Sequence, residues 1–291
     1  MKRQILNIAV DTPVSQVFDY HPPLDIQYEP KIGQRVLVPF GRREVVGFIH
    51  GISEKTSLPK KKIKPCKTII DQSPLLNKKT LDLILWCKNY YHHPVGKTYA
   101  AAIPKYLRSG KNPGHDGKLF KKSTKKRKLT RHQKKAYDKC LGLIEEPIPV
   151  LLNGVTGSGK TEIYLQIMED ILKKGQQVLF LVPEIGLTPH LSEEITSRFG
   201  SCVGIIHSST SEKSRAQAWV GAKENKVSVI LGTRSSIFVP FDDLGLIIID
   251  EEHDESYKQN SGLMYSARDL AVVQAKQLGC ALLLGSATPS Y

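Results

Sequence analysis

The sequence predicts an α/β chain in two parts: a small β-rich N-terminal domain, then a domain built on a parallel sheet around a glycine-rich loop. Three observations carry this expectation. Residues 5–52 hold short apolar runs, such as Arg35-Val-Leu-Val-Pro and Val45-Val-Gly-Phe-Ile, split by Pro and Gly turn signals. From Leu129 onward six apolar runs begin at Val150, Val178, Val203, Val227, Leu246 and Ala281. Each is short and continuously apolar, as strands buried on both faces are. Between them lie stretches long enough for crossover helices, at 162–174, 191–199 and 266–278. A further helix is expected over 77–92, where Leu81, Ile84, Leu85 and Cys87 fall near helical spacing and Asn77 is placed to cap.

The 291 residues suit about two domains, and 40% hydrophobic with 24% charged is ordinary globular usage. No apolar run reaches the ~18–20 residues of a membrane span. The N-terminus is basic but lacks an apolar signal-peptide core. Cys66, Cys87, Cys140, Cys202 and Cys280 are too widely spaced for paired zinc ligands, so reduced thiols in a cytoplasmic protein are expected.

Charge divides the chain. Residues 1–135 hold 29 Lys/Arg against 9 Asp/Glu, a net of +20, and residues 136–291 hold 13 against 19, a net of −6. A basic excess confined to one part is what a polyanion selects, because each neutralised phosphate releases counterions. Residues 109–128 are rich in Gly, Pro and Lys, which cannot build a core. They are expected to form a basic linker, solvated or touching nucleic-acid backbone, between domains 1–108 and 129–291.

The glycine-rich loop fits a phosphate-binding pattern. Gly154-Val-Thr-Gly157-Ser-Gly159-Lys160-Thr161 matches GxxxxGK[ST], follows an expected strand and opens an expected helix. The glycines let backbone N–H groups close on phosphate oxygens, aided by the helix N-terminus. Lys160 is expected at the β- and γ-phosphates of ATP, and Thr161 at Mg²⁺. Leu246-Ile-Ile-Ile-Asp250-Glu251 ends a buried strand in two carboxylates, where open α/β sheets place ligands. Asp250 is expected to hold Mg²⁺ and Glu251 to polarise the attacking water. Gln133, about 20 residues before the loop, is the candidate reader of adenine, whose N6–H and N7 an amide can pair.

These residues lie among longer matches. Val182-Pro-Glu-Ile-Gly-Leu-Thr-Pro189, Gly232-Thr-Arg-Ser-Ser-Ile-Phe238, Asp250-Glu-Glu-His253 and Gly285-Ser-Ala-Thr-Pro289 resemble superfamily 2 helicases. Asp250–Gln259 with Tyr265-Ser-Ala-Arg-Asp269, and the N-terminal Phe18-Asp-Tyr20, Val36–Arg42 and Tyr90-Tyr-His-His-Pro94, are similar more narrowly to primosomal replication-restart helicases. The resemblance implies a DNA 3′-end-binding domain followed by the first RecA-like lobe of an ATP-dependent 3′→5′ DNA helicase. It implies recognition of stalled forks and reloading of the replisome, in the cytoplasm and at the nucleoid. DNA, forked or single-stranded with 3′ ends, is the implied partner, with primosome proteins and single-stranded DNA-binding protein.

The resemblance also assigns residues. Phe18, Asp19, Tyr20, Gly41 and Lys64 match a pocket for a 3′-terminal nucleotide: aromatic faces stack a base, a carboxylate accepts the 3′-hydroxyl, and a lysine holds phosphate. Pro183, Glu184, Thr188, Gly232, Thr233 and Arg234 match segments that contact single-stranded DNA. Ser286-Ala-Thr288 matches the segment coupling hydrolysis to DNA, and Tyr257–Tyr265 an aromatic-rich loop.

Three departures stand out. Leu263 and Met264 occupy positions where the family has an aromatic residue and an arginine. Only residues 109–128 fill the place of a winged-helix domain. The second motor lobe and the family's zinc-binding insertion have no counterpart here, so no zinc ligands are expected in this chain. Hydrolysis would then be slow or absent, and the alternative is a non-catalytic fragment that binds DNA 3′ ends and nucleotide.

Overall fold

A computed structural model describes residues 4–25, 28–59, 62–114, 127–146 and 148–289. The chain divides into two compact units, Met1–Pro113 and Gly114–Tyr291. The core of the basic segment, residues 115–126, lies outside the described residues.

The first unit is an antiparallel sheet of five strands: β1 (Ile5–Val10), β2 (Phe18–Tyr20), β3 (Arg35–Phe40), β4 (Arg43–Ser53) and β5 (Thr68–Ile69), in the order β2-β1-β4-β3-β5. Leu6, Ile8, Val10, Val36, Val38 and Ile49 alternate onto one core with Tyr20 and Cys66. Three helices follow: α1 (Lys78–Tyr90), α2 (Val95–Ala102) and α3 (Lys105–Arg108). Helix α1 begins where its cap predicts, with Asn77 Oδ1 accepting from the Thr80 N–H at 2.9 Å. It stops two residues before the expected end, and His92 just beyond it takes a positive φ of 49°.

One buried cation ties this unit together. Arg35 is fully buried on β3. Its Nε and Nη2 donate to both oxygens of Asp71, the shortest at 2.6 Å. Its Nη1 donates to the carbonyls of Leu107 (2.8 Å) and Lys111 (2.9 Å), and Nη2 also meets Asn112. Residues 109–112, read from sequence as the start of a linker, are therefore bonded into the first unit.

The second unit opens with α4 (Arg131–Leu143) and alternates thereafter: β6 (Pro149–Asn153), α5 (Lys160–Lys173), β7 (Gln177–Leu181), α6 (Pro189–Phe199), β8 (Val203–Ile206), α7 (Glu212–Lys223), β9 (Val229–Gly232), β10 (Leu244–Ile249), α8 (Ala267–Leu278) and β11 (Ala281–Ser286). The six strands form one parallel sheet in the order β6-β11-β10-β7-β9-β8. Strands β7, β9 and β10 are buried at every position. Strand β6 corrects the expectation of burial on both faces. It lies at the end of the strand order, alternates exposed and buried residues, and leaves Leu151 49% exposed. The order brings the C-terminal ends of β6, β11 and β10 side by side. Among the described residues no helix is long and apolar enough to cross a membrane.

Candidate nucleotide and DNA sites

The glycine-rich loop joins the end of β6 to the start of α5. Gly157 and Gly159 take positive φ of 78° and 83°, a conformation that only glycine adopts without strain. Gly159 is doubly constrained, because a Cβ there would lie 2.1 Å from Gln133 Nε2. Gln133 is the third residue of α4, and its Oε1 accepts from the Thr130 N–H at 2.9 Å while the Thr130 hydroxyl accepts from the Gln133 N–H. Its Nε2 donates to the Ser158 carbonyl at 3.0 Å. The expected adenine reader thus reaches the loop, with both ends of its amide engaged by protein.

Lys160 opens α5 and is 8% exposed. Its Nζ donates to the Gly154 carbonyl at 2.7 Å and to Glu251 Oε1 at 3.1 Å. Lysine and glutamate therefore close on each other across the loop. Asp250 follows β10 directly, as the buried run Leu244–Ile249 places it. Its Oδ1 accepts from the Tyr164 hydroxyl at 3.0 Å. Burial pushes the Asp250 carboxyl above the usual carboxylate range, and the Tyr164 hydrogen bond pulls it part of the way back. Glu251 takes a positive φ of 45°, uncommon for a residue with a side chain.

Strand β11 completes the cluster. The Gly154 N–H donates to the Ser286 carbonyl at 3.0 Å, and the Glu252 N–H to the Gly285 carbonyl at 2.9 Å. The Ser286 hydroxyl lies 2.7 Å from His253 Nδ1. The Ala287 N–H points at Glu251 Oε2 from 3.4 Å. Residues 154–161, 250–253 and 285–288 thus make one continuous hydrogen-bonded wall. The donors fit Mg²⁺, which takes one or two carboxylate or hydroxyl oxygens together with phosphates and waters. Thr161 could supply the hydroxyl and Asp250 the carboxylate.

The residues matched to DNA contacts divide. Beyond β7, Pro183 is buried and Glu184 exposed, and Gly232 is buried at the end of β9. The Thr188 hydroxyl caps α6 by accepting from the Leu191 N–H at 3.2 Å, which leaves its proton to donate. Thr233 is buried, and its N–H donates to the Ile206 carbonyl. Arg234 Nη1 donates to the carbonyls of Ser256 (2.6 Å) and Lys258 (2.7 Å), so this guanidinium braces the loop after Asp250. In that loop Leu263 is buried, Met264 is 65% exposed, and Tyr265 meets Phe238 edge-on at 5.2 Å. Tyr257 is buried, and its hydroxyl donates to the carbonyl of Asp250 at 2.6 Å.

In the first unit Phe18, Asp19, Tyr20, Gly41 and Lys64 line one open cavity of about 410 Å³, with Phe40 and Lys62. Phe18 meets Phe40 edge-on at 5.0 Å. Asp19 lies opposite Asn7 in the β1–β2 register and accepts from Asn7 Nδ2 at 2.8 Å and from the Thr56 hydroxyl at 2.5 Å. Tyr20 belongs to the core, and its hydroxyl donates to the Pro39 carbonyl at 2.9 Å. It forms the cavity floor rather than a free stacking face. Sequence reasoning missed Tyr164, Asn7 and Thr56. Tyr164 had a signal, lying one helical turn after Lys160; the other two had none.

Known proteins share both units. Residues 7–104 match the family model described as a 3′DNA-binding domain, and residues 126–291 the model described as type III restriction enzyme, res subunit. The replication restart protein PriA of Haemophilus influenzae is 34% identical over 362 aligned residues, covering 99% of this chain and 49% of that protein. PriA of Rickettsia prowazekii is 39% identical over 285, covering 96% and 42%. PriA of Bacillus subtilis is 44% identical over 178, covering 60% and 22%. The chain spans about half the length, or less, of these relatives. The 362-residue alignment exceeds the 291 residues of this chain, whereas the 285-residue alignment does not. The Haemophilus influenzae relative therefore carries inserted sequence that this chain lacks.

Proposed function

Because the chain belongs to the family of the type III restriction enzyme res subunit and resembles the N-terminal half of the replication restart protein PriA, we propose that it serves an ATP-driven DNA helicase of replication restart. The first unit would bind a DNA 3′ end, and the second would form the first nucleotide-binding lobe. One observation supports this most. Lys160, Asp250, Glu251 and Ser286 come together at the C-terminal ends of three adjacent parallel strands.

In this reading phosphates displace Glu251 from Lys160, whose ammonium then neutralises them. Thr161 and Asp250 would hold Mg²⁺, which would supply charge to offset that developing on the phosphates. Glu251, released, orients the attacking water. Ser286, Ala287 and His253 lie against Glu251 and its neighbours, so a shift in β11 on DNA binding would reach the water-orienting carboxylate directly. Movement 3′→5′, fork recognition, and partnership with primosome proteins and single-stranded DNA-binding protein belong to the same proposal. So does the division 1–108, 109–128 and 129–291, with the linker beginning only after the residues 109–112 that Arg35 ties into the first unit.

Two measurements test it. DNA with a 3′-hydroxyl should bind better than DNA with a 3′-phosphate, which would meet the Asp19 carboxylate as a like charge. Asp19→Ala should erase the preference, and equal binding of both ends by wild type would remove the pocket assignment. DNA-stimulated ATP turnover lost in Lys160→Ala supports the motor. Absence of turnover in wild type favours the non-catalytic fragment, an outcome that the closed Lys160–Glu251 pair also fits.

A further inference from the structure

We propose that Tyr164 is a positioning residue for the Mg²⁺–nucleotide site, fixing the Asp250 carboxylate from the buried side. The inference rests on reading Asp250 as the metal carboxylate.

Tyr164 lies on α5 one turn beyond Lys160 and is fully buried, with its ring edge-on to Phe180 at 5.6 Å. A buried phenol needs a hydrogen-bond partner, and a backbone carbonyl would satisfy it without involving the site. Instead the hydroxyl donates to Asp250 Oδ1 at 3.0 Å. A second buried phenol, Tyr257, donates to the Asp250 main-chain carbonyl at 2.6 Å. Side chain and backbone of Asp250 are thus fixed separately.

The neighbouring strand is built around this contact. A Cβ at Gly285 on β11 would stand 1.6 Å from the Tyr164 hydroxyl and 3.1 Å from Asp250 Oδ1. No side chain fits there while the phenol reaches the carboxylate. Helix α5, the end of β10 and the start of the Gly285–Pro289 segment therefore meet at one hydrogen bond. With Oδ1 held by the phenol, Asp250 keeps its remaining lone pairs in a fixed direction for the cation or its waters. A free carboxylate would lose rotamer entropy on binding and hold the cation less tightly.

The test uses the full chain and Tyr164→Phe, which keeps the ring and removes only the hydroxyl. The readout is the Mg²⁺ concentration giving half-maximal binding of a fluorescent ADP, alongside ADP affinity without Mg²⁺. We expect the Mg²⁺ midpoint to rise about tenfold, the scale of one hydrogen bond to a charged group. Mg²⁺-free affinity should stay within about twofold, because the loop and Lys160 are untouched. An unchanged midpoint would overturn the proposal. Equal weakening with and without Mg²⁺ would also overturn it, by showing a structural role alone. Gly285→Ala, which must displace the phenol, should reproduce the Mg²⁺-specific shift in protein whose thermal unfolding shows it folded. If wild-type ADP binding ignores Mg²⁺, the metal role of Asp250 itself fails, and this inference with it.

Discussion

Glu251→Gln should strengthen nucleotide binding while weakening hydrolysis. In this structure Lys160 Nζ is held by Glu251 Oε1 at 3.1 Å as well as by the Gly154 carbonyl. A phosphate must compete with that carboxylate for the ammonium. At 3.1 Å and an effective dielectric near 20, the attraction between unit charges is about 5 kcal/mol. Most of it does not appear as net competition. The Glu251 side chain is 29% exposed, so water screens the pair, and one hydrogen bond is exchanged for another. A net cost of about 1–2 kcal/mol remains. Removing the carboxylate charge should therefore tighten nucleotide binding roughly 5- to 30-fold. Equilibrium titration of a fluorescent ADP at fixed Mg²⁺ measures this without turnover. ATP turnover by the same variant should fall, because the amide is a poorer acceptor for the attacking water. Binding by Glu251→Gln no tighter than wild type would refute the competition and leave the ion pair without a role in nucleotide binding.

Two further outcomes follow from the first unit, each read by Trp86 fluorescence in a Trp219→Phe background. Asp71→Asn leaves the buried Arg35 guanidinium uncompensated, which costs about 3–5 kcal/mol and should lower the unfolding midpoint by on the order of 15 °C or more; a shift of only a few degrees would show that the carbonyl contacts suffice. His50 lies 3.2 Å from the Tyr99 hydroxyl, and burial, then the Lys88 charge, lowers its pKa below the ordinary histidine value. A depressed histidine pKa means the unfolded chain takes up the proton first, so stability is complete above about pH 6.5 and falls as pH drops through and below it. His93 shifts the same way and adds to the slope. His50→Gln should flatten the fall between pH 7 and pH 5, and an unchanged slope would assign it elsewhere.

What could be read from sequence had a local cause. The parallel strands were visible because burial on both faces forces continuous apolar runs, as in Leu246-Ile-Ile-Ile. Asn77 was visible as a cap, and the loop at 154–161 because phosphate binding needs glycines and lysine at fixed spacing. What could not be read depends on residues far apart in the chain. Nothing near Arg35 announces Asp71, 36 residues on. Nothing near Lys160 announces that Glu251 closes on it. Arg234 is assigned to DNA only by the segment it matches, and nothing near it in sequence announces that the Nη1 hydrogens go to the backbone carbonyls of Ser256 and Lys258. Helix α7 escaped because it buries mainly small residues, Ala216, Ala218, Gly221 and Ala222 beside Trp219, which leave little hydrophobic periodicity.

The strand order has a consequence for biosynthesis. Strand β6, which carries the phosphate loop, is the first of its sheet to be made, and among the described residues it pairs only with β11, the last. Until β11 inserts between β6 and β10, the loop has no sheet beneath it, and the N–H of Gly154 lacks the Ser286 carbonyl it finally meets. Closing a separation of more than 130 residues is a late and slow event. The nascent chain should therefore gain its β7–β10 sheet first, and the phosphate loop should acquire the sheet beneath it only once β11 has been made.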